Sequence, residues 1–170
     1  MRRVAQFYKV SEEQFVNDYI DSFGSSREDA IAVYESIKLP KRATMSSAGY
    51  DFYTPVDINL KPGETIKIPT GIRAKMEDDW VLMIFPRSGL GFKYRLQLNN
   101  TVGIIDSDYY GSDNEGHIFI KITNDSNENK EVSVAAGGGF AQGLFIPYGI
   151  TEDDDCEATR NGGFGSTDKK

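Results

Sequence analysis

The sequence predicts an all-β fold, a sandwich or jelly-roll-like β-barrel, with a helical hairpin near its N-terminus and a flexible arm at its C-terminus. Three observations lead there. From residue 41 onward, apolar residues recur at every second position in short segments cut by Gly, Pro and Asn turns. Before residue 41 they recur at helical spacing instead. After residue 151 the chain turns acidic and glycine-rich, a composition that builds no core.

The elements follow in chain order. Ser11-Glu12-Glu13-Gln14 reads as a capping box ahead of Phe15, Tyr19 and Phe23 on one helical face. Gly24 stops that segment, and Ser25-Ser26-Arg27-Glu28 offers a second cap before Ile31, Tyr34 and Ile37. The spacing predicts helices over roughly 12–23 and 27–37, so that the helical insertion spans about 11–37. Val56, Ile58 and Leu60 then alternate with Asp57 and Asn59, and Lys61-Pro62-Gly63-Glu64 is a turn. Ile66 and Ile68 flank Lys67 in the same rhythm. Residues 80–85 form a continuous apolar run, long enough for a buried strand and short for a helix. Residues 117–123 and 140–146 are further strands. One β domain over 1–151 and an arm over 152–170 account for the chain.

Composition excludes several functions. A chain of 170 residues supports one well-cored domain. No apolar run approaches the ~20 residues that span a bilayer, and MRRVAQFYKV has no apolar segment behind its arginines to make a signal peptide. A single cysteine, Cys156, precludes an internal disulfide and fits a reducing, cytoplasmic setting. The net charge of −7 argues against nucleic-acid binding, which needs a basic stripe. It leaves room for a small anion held by local arginines, backbone N–H groups and a divalent metal.

Four glycine-punctuated segments carry candidate chemistry. Ala48-Gly49-Tyr50-Asp51 is the first. Pro86-Arg87-Ser88-Gly89 follows the buried run and is either an ordinary turn or a phosphate grip. In the segment 99–109, Asp106 follows an apolar pair; it is either a turn aspartate or a partly buried base. Gly162-Gly163-Phe164-Gly165-Ser166-Thr167 is either a linker or a close-approach segment whose phenylalanine stacks on a base. His117, alone at a strand start, reads as structural or exposed.

Together, in this order and spacing, these segments resemble the homotrimeric dUTPase family over about residues 39–167. AGYDF at 48–52, PRSGLG at 86–91, VGIIDSDYYG at 102–111, GGGFAQG at 137–143 and RNGGFGST at 160–167 match its five motifs. Seventeen residues separate Ser88 from Asp106, as in the family. The resemblance implies a dUTPase-type barrel that hydrolyses dUTP to dUMP and pyrophosphate. That activity keeps uracil out of DNA and supplies dUMP for thymidylate synthesis. It implies Asp106 as the base that activates water for attack on the α-phosphorus, and Mg²⁺ held through the triphosphate and water with no direct protein ligand. Arg87, Ser88 and Gly89 would grip phosphate, with Gln142 nearby. Asn100 and the backbone of Ile104 and Ile105, on a β-hairpin, would read uracil, and Tyr109 would lie beneath the deoxyribose. Phe164 would stack on the base, while Arg160, Gly165, Ser166 and Thr167 would reach the terminal phosphates. Asp51 would orient other groups. Three chains would share each site.

The chain departs from the family pattern in places. The fourth motif usually reads Gly-Asp-Arg-(Ile/Leu)-Ala-Gln, and here Gly138 and Gly139 replace the charged pair. Arg160 stands one residue closer to Gly162-Gly163 than usual. Ser112 to Gly116 read as a lengthened hairpin loop. The helical pair is expected to cover a sheet edge, with an added trimer contact or a protein partner as alternatives. Two other functions compete: a catalytically weak nucleotide-sensing or interaction module, motivated by the glycines, and a dCTP deaminase. The deaminase would need a glutamate on the strand after the third motif, and residues 118–123 contain none.

Overall fold

The computed structural model describes residues 1–158 and 160. Twelve strands and three α-helices are assigned among them. The first strand is β1 (Ala5–Lys9), which the sequence reading did not anticipate. Helix α1 (Glu12–Phe23) follows, and the Ser11 hydroxyl accepts the Gln14 N–H at 3.1 Å, as an N-cap should. The return half of the expected capping box is not made. The Ser11 N–H instead donates to the distant Glu115 carboxylate at 2.7 Å, and Gln14 turns to Asp18 at 2.8 Å. Gly24, left-handed at φ 64°, closes the helix by donating to the Ile20 carbonyl. Helix α2 (Arg27–Ser36) is capped by Ser26.

Short antiparallel strands occupy most of the remainder. They are β2 (Lys41–Arg42), β3 (Tyr50–Tyr53), β4 (Ile58–Leu60), β5 (Thr65–Pro69), β6 (Ile72–Met76) and β7 (Trp80–Pro86). Helix α3 (Ser88–Tyr94) intervenes before β8 (Leu96–Leu98), β9 (Gly103–Ile105), β10 (Phe119–Asn124), β11 (Val132–Val134) and β12 (Gly139–Pro147). Among the described residues they form four sheets and no closed barrel, in the orders β1-β6, β5-β10-β8, β11-β4 and β2-β3-β12-β7-β9.

Two apolar clusters hold these layers. The larger joins the sheets through Phe52, Ile58, Ile68, Leu82, Ile84, Ile118, Ile120, Ile122 and Phe140, all essentially inaccessible. Alternation explains it: Ile118, Ile120 and Ile122 share one face, and burying each contributes about 1.5–3 kcal/mol. The smaller cluster, Val10, Phe15, Val16, Tyr19 and Ala30, lies under the two helices. Helix α1 packs against β5, the edge of its three-stranded sheet, as the sequence reading preferred. No described helix is long and apolar enough to cross a membrane.

Candidate functional site

The five-stranded sheet gathers four of the five motifs onto adjacent strands. The first motif lies on β3, the second ends β7, the third is β9 and the fourth opens β12. Gln142 stands opposite Asp51 on one side and Phe85 on the other. The Gln142 amide donates to the Pro86 carbonyl at 3.2 Å. The Arg87 guanidinium reaches the Asp51 carboxylate at 3.4 Å, with Asp51 only 18% exposed and Arg87 47%. Asp51, Arg87 and Gln142 thus form one cluster.

The segment beginning at Arg87 differs from the expected turn. Ser88 and Gly89 open α3, with Arg87 as its N-cap. Their N–H groups have no acceptor among the described residues, because they lie in the first helical turn. Two donors and a guanidinium therefore face the same solvent-exposed corner.

The altered fourth motif has a steric explanation. A Cβ at Gly139 would stand 3.1 Å from Arg87 Nη1, so the arginine occupies the space above that residue. A Cβ at Gly138 would stand 2.7 Å from Val134 Cγ1 and 2.9 Å from the Ala135 carbonyl oxygen. At Gly138 a side chain would meet fixed backbone, whereas at Gly139 it would meet the movable end of Arg87, whose guanidinium pairs with Asp51 of the first motif.

A second cluster lies elsewhere. Ile104, Ile105, Asp106, Tyr109 and Arg160 line a pocket of about 40 Å³. Asp106 precedes a 3-10 helix, Ser107–Gly111, without capping it by its side chain, and that side chain is 46% exposed. Arg160 donates to Asp106 Oδ2 at 2.5 Å and to Asp108 Oδ1 at 2.9 Å, and its guanidinium lies 5.8 Å from the Tyr109 ring centre. Two carboxylates on one guanidinium make strong, directional hydrogen bonds. Tyr109 is buried, and burial raises its phenol pKa. The hydroxyl stays protonated at neutral pH, donates to the His117 carbonyl at 2.7 Å and accepts from Asn114 at 2.8 Å.

The two clusters do not meet within one chain. Ile105 pairs with Leu82, so Asp106 sits beside the start of β7 while Arg87 lies past its end. The five strand steps from Leu82 to Arg87 span roughly 17 Å. Asn100 is exposed on the turn between β8 and β9. Those strands do not form the expected hairpin ladder: β8 pairs with β10 and β9 with β7, so the turn bridges two sheets. Strand β9 is a sheet edge, which leaves half of the Ile104 and Ile105 backbone groups facing away from β7. Phe164, Gly165, Ser166 and Thr167 lie outside the described residues.

Sequence reasoning missed one constellation. His117, fully buried, faces Asp18 of α1 at 2.5 Å through Nδ1, while its Nε2 accepts the Gly71 N–H at 2.8 Å. The partners are 99 residues apart, and no local pattern signals them.

Comparison with known proteins follows the same lines. Residues 35–168 match the sequence model of one family, dUTPase. The deoxyuridine 5'-triphosphate nucleotidohydrolase of Lactococcus lactis subsp. lactis (strain IL1403) is 42% identical over 134 residues, covering 77% of this chain and 88% of that protein. The solved dUTPase from Streptococcus mutans is 31% identical with a TM-score of 0.62, covering 86% of this chain and 98% of that one. The Staphylococcus bacteriophage 80alpha dUTPase with dUPNHPP gives a TM-score of 0.63 over 94% of this chain and 92% of its own. At 19% identity that likeness concerns the fold alone.

Proposed function

The chain belongs to the dUTPase family, and from that premise we propose that it hydrolyses dUTP to dUMP and pyrophosphate at sites shared between three chains. The observation that carries the proposal is the division of the motifs between two clusters at opposite ends of β7. One bears Arg87, Ser88, Gly89 and Gln142, a set of phosphate-binding donors. The other bears Asp106 and Tyr109, a carboxylate beside a buried aromatic. Neither is a complete active site, and a homotrimer would bring the first cluster of one chain to the second of its neighbour.

Asp106 is the general base in this reading. Its carboxylate takes a proton from water, which attacks the α-phosphorus in line with departing pyrophosphate. Asp51 holds the Arg87 guanidinium toward the phosphates. Asn100 and the outward backbone of Ile104 and Ile105 read the uracil edge, and Tyr109 supports the deoxyribose. A site built to pair with uracil rejects cytosine, whose amino group meets the wrong partner. Arg160, now on Asp106 and Asp108, lies at the doorway of that pocket. It closes with Phe164, Gly165, Ser166 and Thr167 over the triphosphate in the arm assigned to 152–170. Residues 1–151 are then one domain of dUTPase-type jelly-roll architecture, with the helical pair as an insertion.

Mg²⁺ fits this site as a companion of the substrate. No three His, Cys, Asp or Glu side chains converge among the described residues, and Mg²⁺ retains several waters when bound through phosphates. It would neutralise charge on the phosphate oxygens. A free-nucleotide substrate and the unpaired Cys156 suit a cytoplasmic setting.

Pyrophosphate release from dUTP with Mg²⁺, run beside dCTP, dTTP and UTP, tests the function. Release from dUTP alone is expected. No release from any nucleotide by a folded protein would refute hydrolysis and leave a binding module; ammonia from dCTP would instead reveal a deaminase. Light scattering should give three times the 18.9 kDa chain mass.

A further inference from the structure

We propose that helix α1 sets the position of Tyr109, and with it the rejection of a ribose 2′-hydroxyl, with Asp18 and His117 as positioning residues. This rests on Tyr109 as the floor beneath the deoxyribose. The helix grips the loop after Tyr109 at two points. At its N-terminus the Ser11 N–H and hydroxyl both donate to Glu115, at 2.7 and 2.6 Å. About two turns further on, the Asp18 carboxylate accepts from His117. Because Nε2 accepts the Gly71 N–H, the ring hydrogen is on Nδ1 and points at Asp18. The backbone of the same histidine holds Tyr109, since the phenol donates to the His117 carbonyl.

The loop between these grips has hydrogen bonds of its own, from the Glu115 N–H to the Ser112 carbonyl, the His117 N–H to the Asn114 carbonyl and the Asn114 amide to the Tyr109 hydroxyl, yet two of its residues take left-handed backbone conformations. Glu115 takes φ 58°, uncommon for a residue with a side chain. Gly116 follows at φ 70°, pressed so close that a Cβ would stand 2.6 Å from the Tyr109 carbonyl oxygen. Arg73 adds a third restraint by stacking 3.7 Å from the Tyr110 ring centre and donating to the Tyr110 carbonyl at 2.6 Å. A backbone in this conformation persists where its surroundings over-determine it, and α1 supplies two of the anchors. The helical pair lies almost wholly before residue 35, where the family match begins. A segment outside the matched region therefore supports a residue inside it.

The test measures kcat and KM for dUTP and UTP on the full chain, beginning with the unaltered protein. If that protein does not hydrolyse dUTP, the functional reading itself fails. Given turnover, Asp18→Ala should lower the dUTP-over-UTP ratio of kcat/KM about tenfold, mainly through KM, as expected for losing one charge-assisted hydrogen bond. Asp18→Asn keeps an oxygen to accept the Nδ1 hydrogen and should restore most of the ratio. Ser11→Asp retains the helix cap but sets a second carboxylate against Glu115; it should lower the ratio severalfold with helix content unchanged. In a Tyr109→Phe background, Asp18→Ala should change the ratio no further. If Asp18→Ala does not fold, Ser11→Asp decides. A ratio within twofold of the unaltered protein in folded Asp18→Ala, or in Ser11→Asp where that variant decides, overturns the inference.

Discussion

Replacing Gly138 by alanine should destabilise the protein, although it adds only a methyl group. The new Cβ would stand 2.7 Å from Val134 Cγ1 and 2.9 Å from the Ala135 carbonyl oxygen. The valine can turn, but the carbonyl cannot move freely, because it accepts the N–H of Gly138 itself at 2.9 Å. The loop is further pinned to β3 by Thr54 N–H to the Gly138 carbonyl and Gly137 N–H to the Thr54 carbonyl, at 2.9 and 2.7 Å. Overpacking against such a backbone costs about 1–3 kcal/mol. Removing a glycine's freedom from the unfolded chain offsets about 0.4–1 kcal/mol. The difference is a loss of up to about 2.6 kcal/mol, or a drop in Tm of up to roughly 10 °C for a chain of this size. Thermal unfolding at fixed protein concentration reads it, since the proposed assembly would make Tm depend on concentration. Gly149→Ala is the reference: no atom lies within 4 Å of its Cβ, and its Tm should hold or rise. A Gly138→Ala protein melting at or above the unaltered one would refute the steric account.

Three other changes have definite expectations. Asp106→Asn should lower kcat for dUTP about 10²–10⁴-fold while calorimetry shows nucleotide binding retained; near-normal turnover would remove Asp106 from the chemistry. Deleting 161–170 should cut dUTP turnover at least tenfold with the thermal midpoint nearly unmoved, because both apolar clusters lie within the β domain and its helices. A collapse in stability would make the tail structural. Burial pushes the Asp18 carboxyl up, but hydrogen bonds from His117 and Gln14 outweigh it and hold the pKa below its ordinary value. A carboxylate depressed in the fold stabilises above its unfolded pKa of about 4 and loses that contribution as pH falls through the lower folded value. The stability advantage over Asp18→Asn, from urea midpoints, should therefore be level at neutral pH and shrink below about pH 4. An advantage that grew on acidification would contradict the sign.

What the sequence revealed depended on how local the cause was. Ser11 and Gly24 delimit α1 at the expected residues because caps are read from neighbours only three or four positions away. The strand expected over 117–123 forms as β10, with Ile120 and Ile122 on its buried face and Ile118 buried just before it. Strand β1 was not legible: AQFYK is too short to show a period, and it forms by pairing with β6, some seventy residues on. Residues 86–89 read as either a turn or a phosphate grip, and no helix was anticipated there, yet α3 begins at Ser88. Of the candidate site, Asp51, Arg87 and Gln142 come together because β3, β12 and β7 lie side by side. The Arg87–Asp51 contact was not legible, since it depends on how β3 and β7 lie on either side of β12. His117 and Asp18 were beyond reach, since their pairing depends on how a helix lies across a sheet.

The separation of the two clusters along β7 has a consequence for mixtures of defective chains. An Arg87→Ala chain loses the phosphate grip but keeps its carboxylate; an Asp106→Asn chain does the reverse. With sites shared between neighbouring chains as proposed, each alone would assemble only broken sites. Refolded together in equal amounts, about a quarter of the interfaces in randomly mixed trimers would join a sound grip to a sound carboxylate. Two inactive proteins would then yield an active one, and a cell carrying both alleles would recover what neither allele provides by itself.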